Sequence, residues 1–501
     1  MRFGEHAARA ALAGAGADDV HLRKLSRLSP TFWLTAKNVF SQLFGIAVFA
    51  VQAPLLGPRA FGLVSIVMVF VGFCELVFSD AASDALISIR KIESIHFDTM
   101  NSLCVAVSLL FGAAAALSAP WVARWFNEPE LVPLLRWMAL LPVVTALSAA
   151  PTAATKREMQ FQPLAMRSMV SLFIGGVVGI VLTVTHFGVW ALVWQALVAR
   201  AAASLVLWRV VPLRLRFGFS SAAFAELLPF AVPVLVSRSL SWSASQFPRL
   251  IFGLYWGPTE LGIFGLAARL CDILLEVALV PRYVVARVAL RRYAEDLPGL
   301  HAAFAKILSG TSVVCFALAV GGAAVTPTLF HAWLDSRWYP GVLPAALMML
   351  MCVPTVSHYC AGAVLLAMNE QKAEALSSMI QTIVTVIAVM VFAPFGLLPA
   401  TAAYAARPLL LLPLPALLLR RRCSIPLGEL FAPQWRPLFA AALMGAGVTA
   451  IRLVLEPHFN SILLLPVLIA AGGLIYAAAV QLLLPEVAQE YAVRLGLSRR
   501  Q

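Results

Sequence analysis

The chain is 501 residues long, 61% hydrophobic and only 12% charged, with a mean hydropathy of +0.88. Soluble globular chains run at about 45–50% apolar and about 25% charged, so a soluble enzyme is excluded, and 30 Phe with 12 Trp exclude a disordered chain as well. The net charge of +13 would suggest nucleic acid in a soluble protein, but in a helical membrane protein it can record orientation alone.

A hydrocarbon core of about 30 Å needs roughly 20 apolar residues of helix, with every backbone group bonded internally. Fourteen segments meet that requirement: 31–56, 60–84, 100–126, 131–153, 165–185, 188–210, 227–253, 259–282, 305–331, 340–366, 374–395, 397–419, 437–455 and 461–484. The weakest is 397–419, where Pro399, Pro408, Pro413 and Pro415 remove backbone donors. The expectation is an all-α polytopic membrane protein of about 14 transmembrane helices, and of no fewer than 12. No cleavable signal peptide is expected ahead of the first span, because residues 7–17 are only weakly hydrophobic and Asp18, Asp19, Arg23, Lys24 and Arg27 follow.

Basic residues fix the expected orientation. With a cytoplasmic N-terminus, one set of connections collects 25 of the 37 Lys and Arg, while the other holds only Arg59, Arg124 and Arg337. This asymmetry puts both termini in the cytoplasm and accounts for most of the positive charge without a nucleic-acid partner. The seven cysteines form no CxxC pair and read as small packing residues. The eight histidines form no HxxxH or His/Cys set, so no metal site is expected; His186, His331 and His458 fall at outer ends of spans.

An internal repeat organises the spans. Gly57-Pro58-Arg59-Ala60-Phe61-Gly62-Leu63 follows the first span and Gly257-Pro258-Thr259-Glu260-Leu261-Gly262-Ile263 follows the seventh. Phe187-Gly188 and Phe395-Gly396 likewise separate spans 5 and 6 and spans 11 and 12. Matched turns in two units of six spans point to duplication, and because six is even the units are parallel, with the site expected between them. The expected organisation is a cytoplasmic segment 1–30, a six-helix bundle 31–210, a linker 211–226, a second six-helix bundle 227–419, a linker 420–436, accessory helices 437–484 and a cytoplasmic tail 485–501.

Charges inside spans are costly, at about 2.5–3.5 kcal/mol each on insertion scales, and so mark candidate sites. Arg200, Arg238, Arg269 and Arg407 sit near the middle of their spans, while Lys37 and Arg249 lie nearer the ends, where snorkelling and a cavity role are both open. Among the acids, Asp80 and Asp84 form an i,i+4 pair, and Arg269, Asp272 and Glu276 share one helix face. That spacing suits a structural ion pair. It equally suits a hydrated vestibule whose excess of arginine over acid fits an anionic substrate, since guanidinium holds phosphate in a bidentate fork. Asn38, Gln42 and the serines between Ser237 and Ser245 add hydrogen-bonding capacity, or simply permit close helix packing. No catalytic constellation or P-loop is present, and the longest connection between spans runs from about 283 to 304, so an enzyme with a large outward loop is not expected.

The stretch Leu55 to Leu63, the Asn127-Glu128-Pro129-Glu130-Leu131 turn, the Thr155-Lys156-Arg157-Glu158-Met159-Gln160-Phe161 loop, Phe187-Gly188-Val189-Trp190-Ala191-Leu192-Val193, and Gly257 to Ile263 resemble the Wzx-type polysaccharide flippases. These form the polysaccharide transporter branch of the multidrug/oligosaccharidyl-lipid/polysaccharide exporter superfamily. The motifs run in family order from residue 55 to about 270; beyond residue 300 the resemblance rests on helix layout. It implies two six-helix bundles around a central cavity, with two extra helices. It also implies alternating-access translocation of undecaprenyl-diphosphate-linked oligosaccharide across a bacterial inner membrane, for exopolysaccharide, capsule or O-antigen assembly.

The partners so implied are the lipid-linked oligosaccharide, membrane lipid, and the polymerase and export proteins of an assembly system. No cofactor is implied, and the drive would be a H+ or Na+ gradient. Arg238, Arg269 and Arg200, then Arg407, Arg249 and Lys37, become the candidate contacts for diphosphate or acidic sugar. Asp272, Glu276, Asp80 and Asp84 become the candidates for ion coupling. The chain departs from the family pattern at Pro248-Arg249, where relatives commonly carry an acid before the basic residue, and around Gln52-Ala53-Pro54, where an arginine is often found. The alternatives on the same fold are a cation-coupled multidrug exporter and a peptidoglycan lipid-precursor flippase; from other classes, a polysaccharide polymerase or a structural membrane subunit.

Overall fold

A computed structural model describes residues 30–75, 86, 93–158, 160–211, 218–293 and 295–486. Every regular element among the described residues is helical. Helix α1 (Pro30–Glu75) runs through a non-helical residue, Gly57 (φ 73°, ψ 172°), so that it has two arms. Next come α2 (Ser94–Trp125), three consecutive short helices α3 (Leu131–Met138), α4 (Leu140–Ala146) and α5 (Ala149–Arg157), then α6 (Phe161–Val184) and α7 (Trp190–Val210). Helix α8 (Ser221–Leu274) repeats the device of α1, with Gly257 (φ 76°, ψ −177°) between its arms. It continues through a π-helical turn, Leu275–Leu279, into α9 (Val280–Arg291). Pro281 has no N–H to give to the preceding turn, which accounts for the local change of hydrogen-bonding period.

The remaining chain forms α10 (Leu297–Trp333), a 3-10 turn Ser336–Gly341, α11 (Val342–Leu350), α12 (Cys352–Ala367), α13 (Gln371–Phe392), α14 (Leu397–Leu410), α15 (Pro413–Cys423), α16 (Leu427–Phe431), α17 (Trp435–Leu455) and α18 (Ser461–Leu483). The proline-rich span expected at 397–419 breaks between α14 and α15. Pro413 cannot donate there, and Leu412 and Leu414 instead form i→i−3 bonds to the Leu409 and Leu411 carbonyls.

Among the described residues, eleven helices are long and apolar enough to cross a membrane, and a twelfth if the bent pair Ser221–Pro229 and Val234–Leu240 is one span. The protein is therefore an all-helical, multi-pass membrane protein. The number is lower than the expected fourteen partly because the two spans on either side of Gly57 form one continuous element. Many large apolar side chains face outward, Leu117, Leu474 and Leu482 among them, as lipid contact requires.

Four glycines have positive φ among the described residues: Gly57, Gly188, Gly257 and Gly396. They are the four turn glycines of the sequence repeat. The two Gly-Pro turns also pack on each other reciprocally. A methyl group at Gly62 would overlap the Pro258 carbonyl, and one at Gly262 would overlap the Pro58 carbonyl. Glycine at the fifth position after each turn glycine thus lets two backbones touch. The main core spreads from this contact through Leu63, Ile66, Phe126, Leu134, Phe252, Phe264, Phe316, Phe330 and Trp338. Helices α17 and α18 dock separately on α10, through Val313 with Ala440, Ala479 and Val480, and by a Tyr476 hydroxyl bond to the Val313 carbonyl (2.6 Å).

Candidate functional site

Because α8 doubles back at Gly257, its two arms bring Arg249 and the Arg269/Asp272 pair to the same region. Two cavities meet there. The central one, about 390 Å3, is lined by Gly45, Phe49, Gln52, Phe61 and Ser65 of α1, by Gln195 of α7, by Arg249, Arg269 and Asp272 of α8, and by Trp338. The neighbouring one, about 540 Å3, again uses Arg249 and Asp272. To these it adds Ser245 and Gln246 of α8, Ser378, Gln381, Thr382 and Thr385 of α13, and Tyr404 and Arg407 of α14. A small apolar cleft of about 50 Å3 lies between α1, the second arm of α8 and the end of α10, with Arg269 and Trp333 among its walls.

Neutral partners hold two of the cavity arginines. Arg249 Nη1 donates to Gln246 Oε1 at 3.0 Å. Arg407 Nη1 donates to the Thr385 hydroxyl at 2.5 Å, its guanidinium lies 5.0 Å from the Tyr404 ring centroid, and its buried Nε has no partner. Asp272 lies in the field of Arg249 and Arg269, with Glu276 adding like charge. Among the described residues, however, no carboxylate oxygen comes within 4.0 Å of the Arg249, Arg269 or Arg407 guanidinium. The structural ion pair that the Arg269/Asp272 spacing permitted is therefore not formed at contact distance. Three guanidinium groups against one carboxylate in the lining of the two cavities give them capacity for an anion.

Arg200 is placed differently. Its Nε and Nη2 donate to Oε1 and Oε2 of Glu75 at 2.9 and 3.0 Å, and the Thr145 hydroxyl donates to the same carboxylate at 2.7 Å. Arg238 is exposed on the first arm of α8 and Lys37 is half-buried on α1; neither lines these cavities. Glu276 is exposed in the π-helical turn. Asp80 and Asp84 lie outside the described residues. The structure thus brings together Arg249, Arg269, Arg407 and Asp272 from the sequence candidates.

Sequence reasoning missed neutral members of the site. Gln52, buried on α1, donates to Gln195 Oε1 at 2.7 Å and reaches the Thr183 hydroxyl at 3.4 Å. A methyl group at Gly179 would collide with that Gln195 amide, so glycine makes the space for it. Thr385 and Tyr404, which position Arg407, carry no charge and so gave no sequence signal of their own. Glu374, at the start of the expected span 374–395, packs its carboxylate over Gly362 of α12.

Residues 51–343 match the family model described as polysaccharide biosynthesis protein. The chain belongs to that family. Its sequence is 26% identical over 240 residues to the succinoglycan biosynthesis transport protein ExoT of Rhizobium meliloti (strain 1021), covering 47% of this chain and 48% of that one. It is 22% identical over 339 residues to the lipopolysaccharide biosynthesis protein WzxC of Escherichia coli (strain K12), covering 65% and 66%. The chain thus spans about half of the first relative's length and just under two thirds of the second's. In fold it is similar to the lipid II flippase MurJ in an inward closed conformation (TM-score 0.72, 12% identity, 90% of this chain and 99% of that one). It is also similar to an inward-facing multidrug resistance MATE family transporter of the MOP superfamily (TM-score 0.58, 16% identity, 76% and 94%). The resemblance carried by the Gly-Pro and Phe-Gly motifs is borne out at the level of the family.

Proposed function

We propose that the protein is a flippase that carries an undecaprenyl-diphosphate-linked oligosaccharide from the cytoplasmic to the periplasmic leaflet of a bacterial inner membrane, for polysaccharide assembly. On this reading about 14 spans form two parallel six-helix bundles with an accessory pair, and both termini are cytoplasmic. It performs transport and no catalysis. One observation carries the reading of the cargo: Arg249 and Asp272 line both cavities, with Arg269 on the central side and Arg407 on the other. A diphosphate needs clustered cations, and a guanidinium offers the matching fork. The hydroxyls and amides around Arg407 suit the sugars, and α17 with α18 forms the accessory pair beside α10. A H+ or Na+ gradient supplies the drive, with Asp272 the candidate coupling carboxylate among the described cavity residues. A cation-coupled drug exporter would want more acid in the cavity than the single Asp272 provides.

Replacing Arg249 and Arg269 together by Gln is expected to reduce polymer export at least about tenfold while membrane abundance stays normal, since charge-assisted hydrogen bonds are worth about 1.5–3 kcal/mol each. Normal export from that variant overturns the site. Rescue of cells depleted of their peptidoglycan-precursor flippase would move the cargo to that lipid.

A further inference from the structure

The first arm of α1 ends in a turn with two prolines, Pro54 and Pro58. In an α-helix each N–H bonds the carbonyl four residues back, so Pro54 leaves the Ala50 carbonyl without its helical donor, and Pro58 does the same to the carbonyl of Pro54. Both carbonyls are met by side chains from nearly 300 residues away. Trp333 Nε1 donates to Ala50 O at 3.1 Å, and Arg337 Nη2 donates to Pro54 O at 3.1 Å. Trp338 Nε1 adds a third bond to Ala53 O in the same last turn, at 3.0 Å.

The donors are held in place. Arg337 Nε donates to Asp335 Oδ2 at 2.6 Å, and its guanidinium lies flat against Gly57, where any side chain would collide with it. Trp338 is fully buried, packs against Phe49 and Phe61, and with them forms an end wall of the central cavity. Beside this wall the two Gly-Pro turns interlock, Gly62 on the Pro258 carbonyl and Gly262 on that of Pro58.

The arrangement is one-sided. The position of Pro54 in the repeat is Leu254 in α8, so only Pro258 frees a carbonyl there. Trp121 and Trp125, near the end of α2 that corresponds to the end of α10, are 60% and 71% exposed and reach no such acceptor.

We propose that Trp333, Arg337 and Trp338 form a latch that closes the central cavity at the Gly-Pro end by bonding the Ala50 and Pro54 carbonyls, which Pro54 and Pro58 leave free, and the Ala53 carbonyl beside them, and that cargo leaves when this latch opens. The proposal rests on the flippase reading for its direction, since the Gly-Pro end is then periplasmic. The two indole bonds are neutral and individually modest, and the charge-assisted Arg337 bond is solvent-exposed, so together they bias closure by about ten- to a hundredfold and remain reversible. An isolated helix end would gain as much from water; the latch exists because the donors arrive from a different part of the chain, the end of α10 and the 3-10 turn that follows it.

The test uses the full chain with Ser65→Cys, a position on the central cavity wall, labelled by a membrane-impermeant maleimide from each face of the membrane. The chain without Ser65→Cys gives the background of the native cysteines. Trp333→Phe with Trp338→Phe keeps both aromatic rings and removes two donors; Gly262→Ala separates the interlocked turns by an independent route. Both are expected to raise the periplasmic labelling rate about fivefold or more at normal abundance. An unchanged rate on both faces for the tryptophan variant overturns the latch, and so does a rise confined to Gly262→Ala. A rise seen only from the cytoplasmic face supports the latch and overturns the orientation of the flippase reading instead.

Discussion

Arg200 offers a test that separates cargo binding from scaffolding. By sequence it was among the first candidates for the diphosphate; in the structure both of its contacts to Glu75 are direct, at 2.9 and 3.0 Å. The Glu75 side chain is 12% exposed and that of Arg200 is 45% exposed, so the pair straddles the boundary of the packed interior. Half-exposed guanidinium is screened, and the pair itself is worth about 1 kcal/mol or less. Removing Arg200 alone costs more, about 1–3 kcal/mol, because it leaves a mostly buried carboxylate without its guanidinium. Arg200→Gln should therefore lower the thermal unfolding midpoint and membrane abundance, and Glu75→Gln with Arg200→Gln should recover part of both. The double-mutant cycle should yield a coupling of about 1 kcal/mol by unfolding in detergent, with export following abundance. If Arg200→Gln leaves the unfolding midpoint unchanged, abolishes export, and is not rescued by Glu75→Gln, then Arg200 acts on cargo and the scaffolding argument is wrong.

Two further substitutions probe the turns and the second cavity. Gly396 has φ 100° and ψ 176°, backbone that only glycine adopts readily, whereas Gly188 has φ 59°, and neither has an atom within 4 Å of an added methyl group. Gly396→Ala should thus destabilise by about 1–3 kcal/mol, and more than Gly188→Ala, read as unfolding midpoints; equal effects would refute a backbone origin. Thr385→Val removes the acceptor that positions Arg407 while keeping the volume, and should lower export severalfold at unchanged abundance; unchanged export would leave Arg407 without a role in cargo binding.

How much was legible beforehand follows from what leaves a trace in sequence. Turn glycines do: Gly57, Gly188, Gly257 and Gly396 were identifiable by their repeated context, and the structure gives all four positive φ. Their conformation is local, so a local motif encodes it. Mid-span arginines also stand out, because each costs insertion free energy, and two of the four, Arg269 and Arg407, do line the cavities, joined by Arg249 from nearer a span end. What sequence could not supply was pairing over distance. Nothing near Arg200 announces Glu75, 125 residues away, and although the turn at Gly257 was readable, nothing in the sequence announces that Arg407 of α14 will line a cavity with Arg249 and Asp272. The latch was invisible for the same reason: Pro54 and Pro58 were readable as turn residues, but the donors that answer them come from 333–338.

These pieces divide unequally along the chain. The cations of the cavities, Arg249, Arg269 and Arg407, all follow residue 227, and so do the latch donors Trp333, Arg337 and Trp338. The earlier part contributes the neutral Gln52–Gln195–Thr183 chain, the aromatic pair Phe49 and Phe61, and the carbonyl acceptors at 50, 53 and 54. On the proposed two-bundle reading, an anion gripped in the cavity would belong to the second bundle, which also carries the latch donors. Arg269 and Trp333 even share the walls of one apolar cleft. If the two bodies rock, the cation cluster and the three donors move together, away from uncharged acceptors that any donor, water included, can satisfy. Separation then breaks the latch bonds and leaves the contacts of the cavity arginines intact, so opening need not release the anion. Release would require a second event at the cluster itself, and Asp272, which lines both cavities and lies in the field of Arg249 and Arg269, is the group placed to provide it.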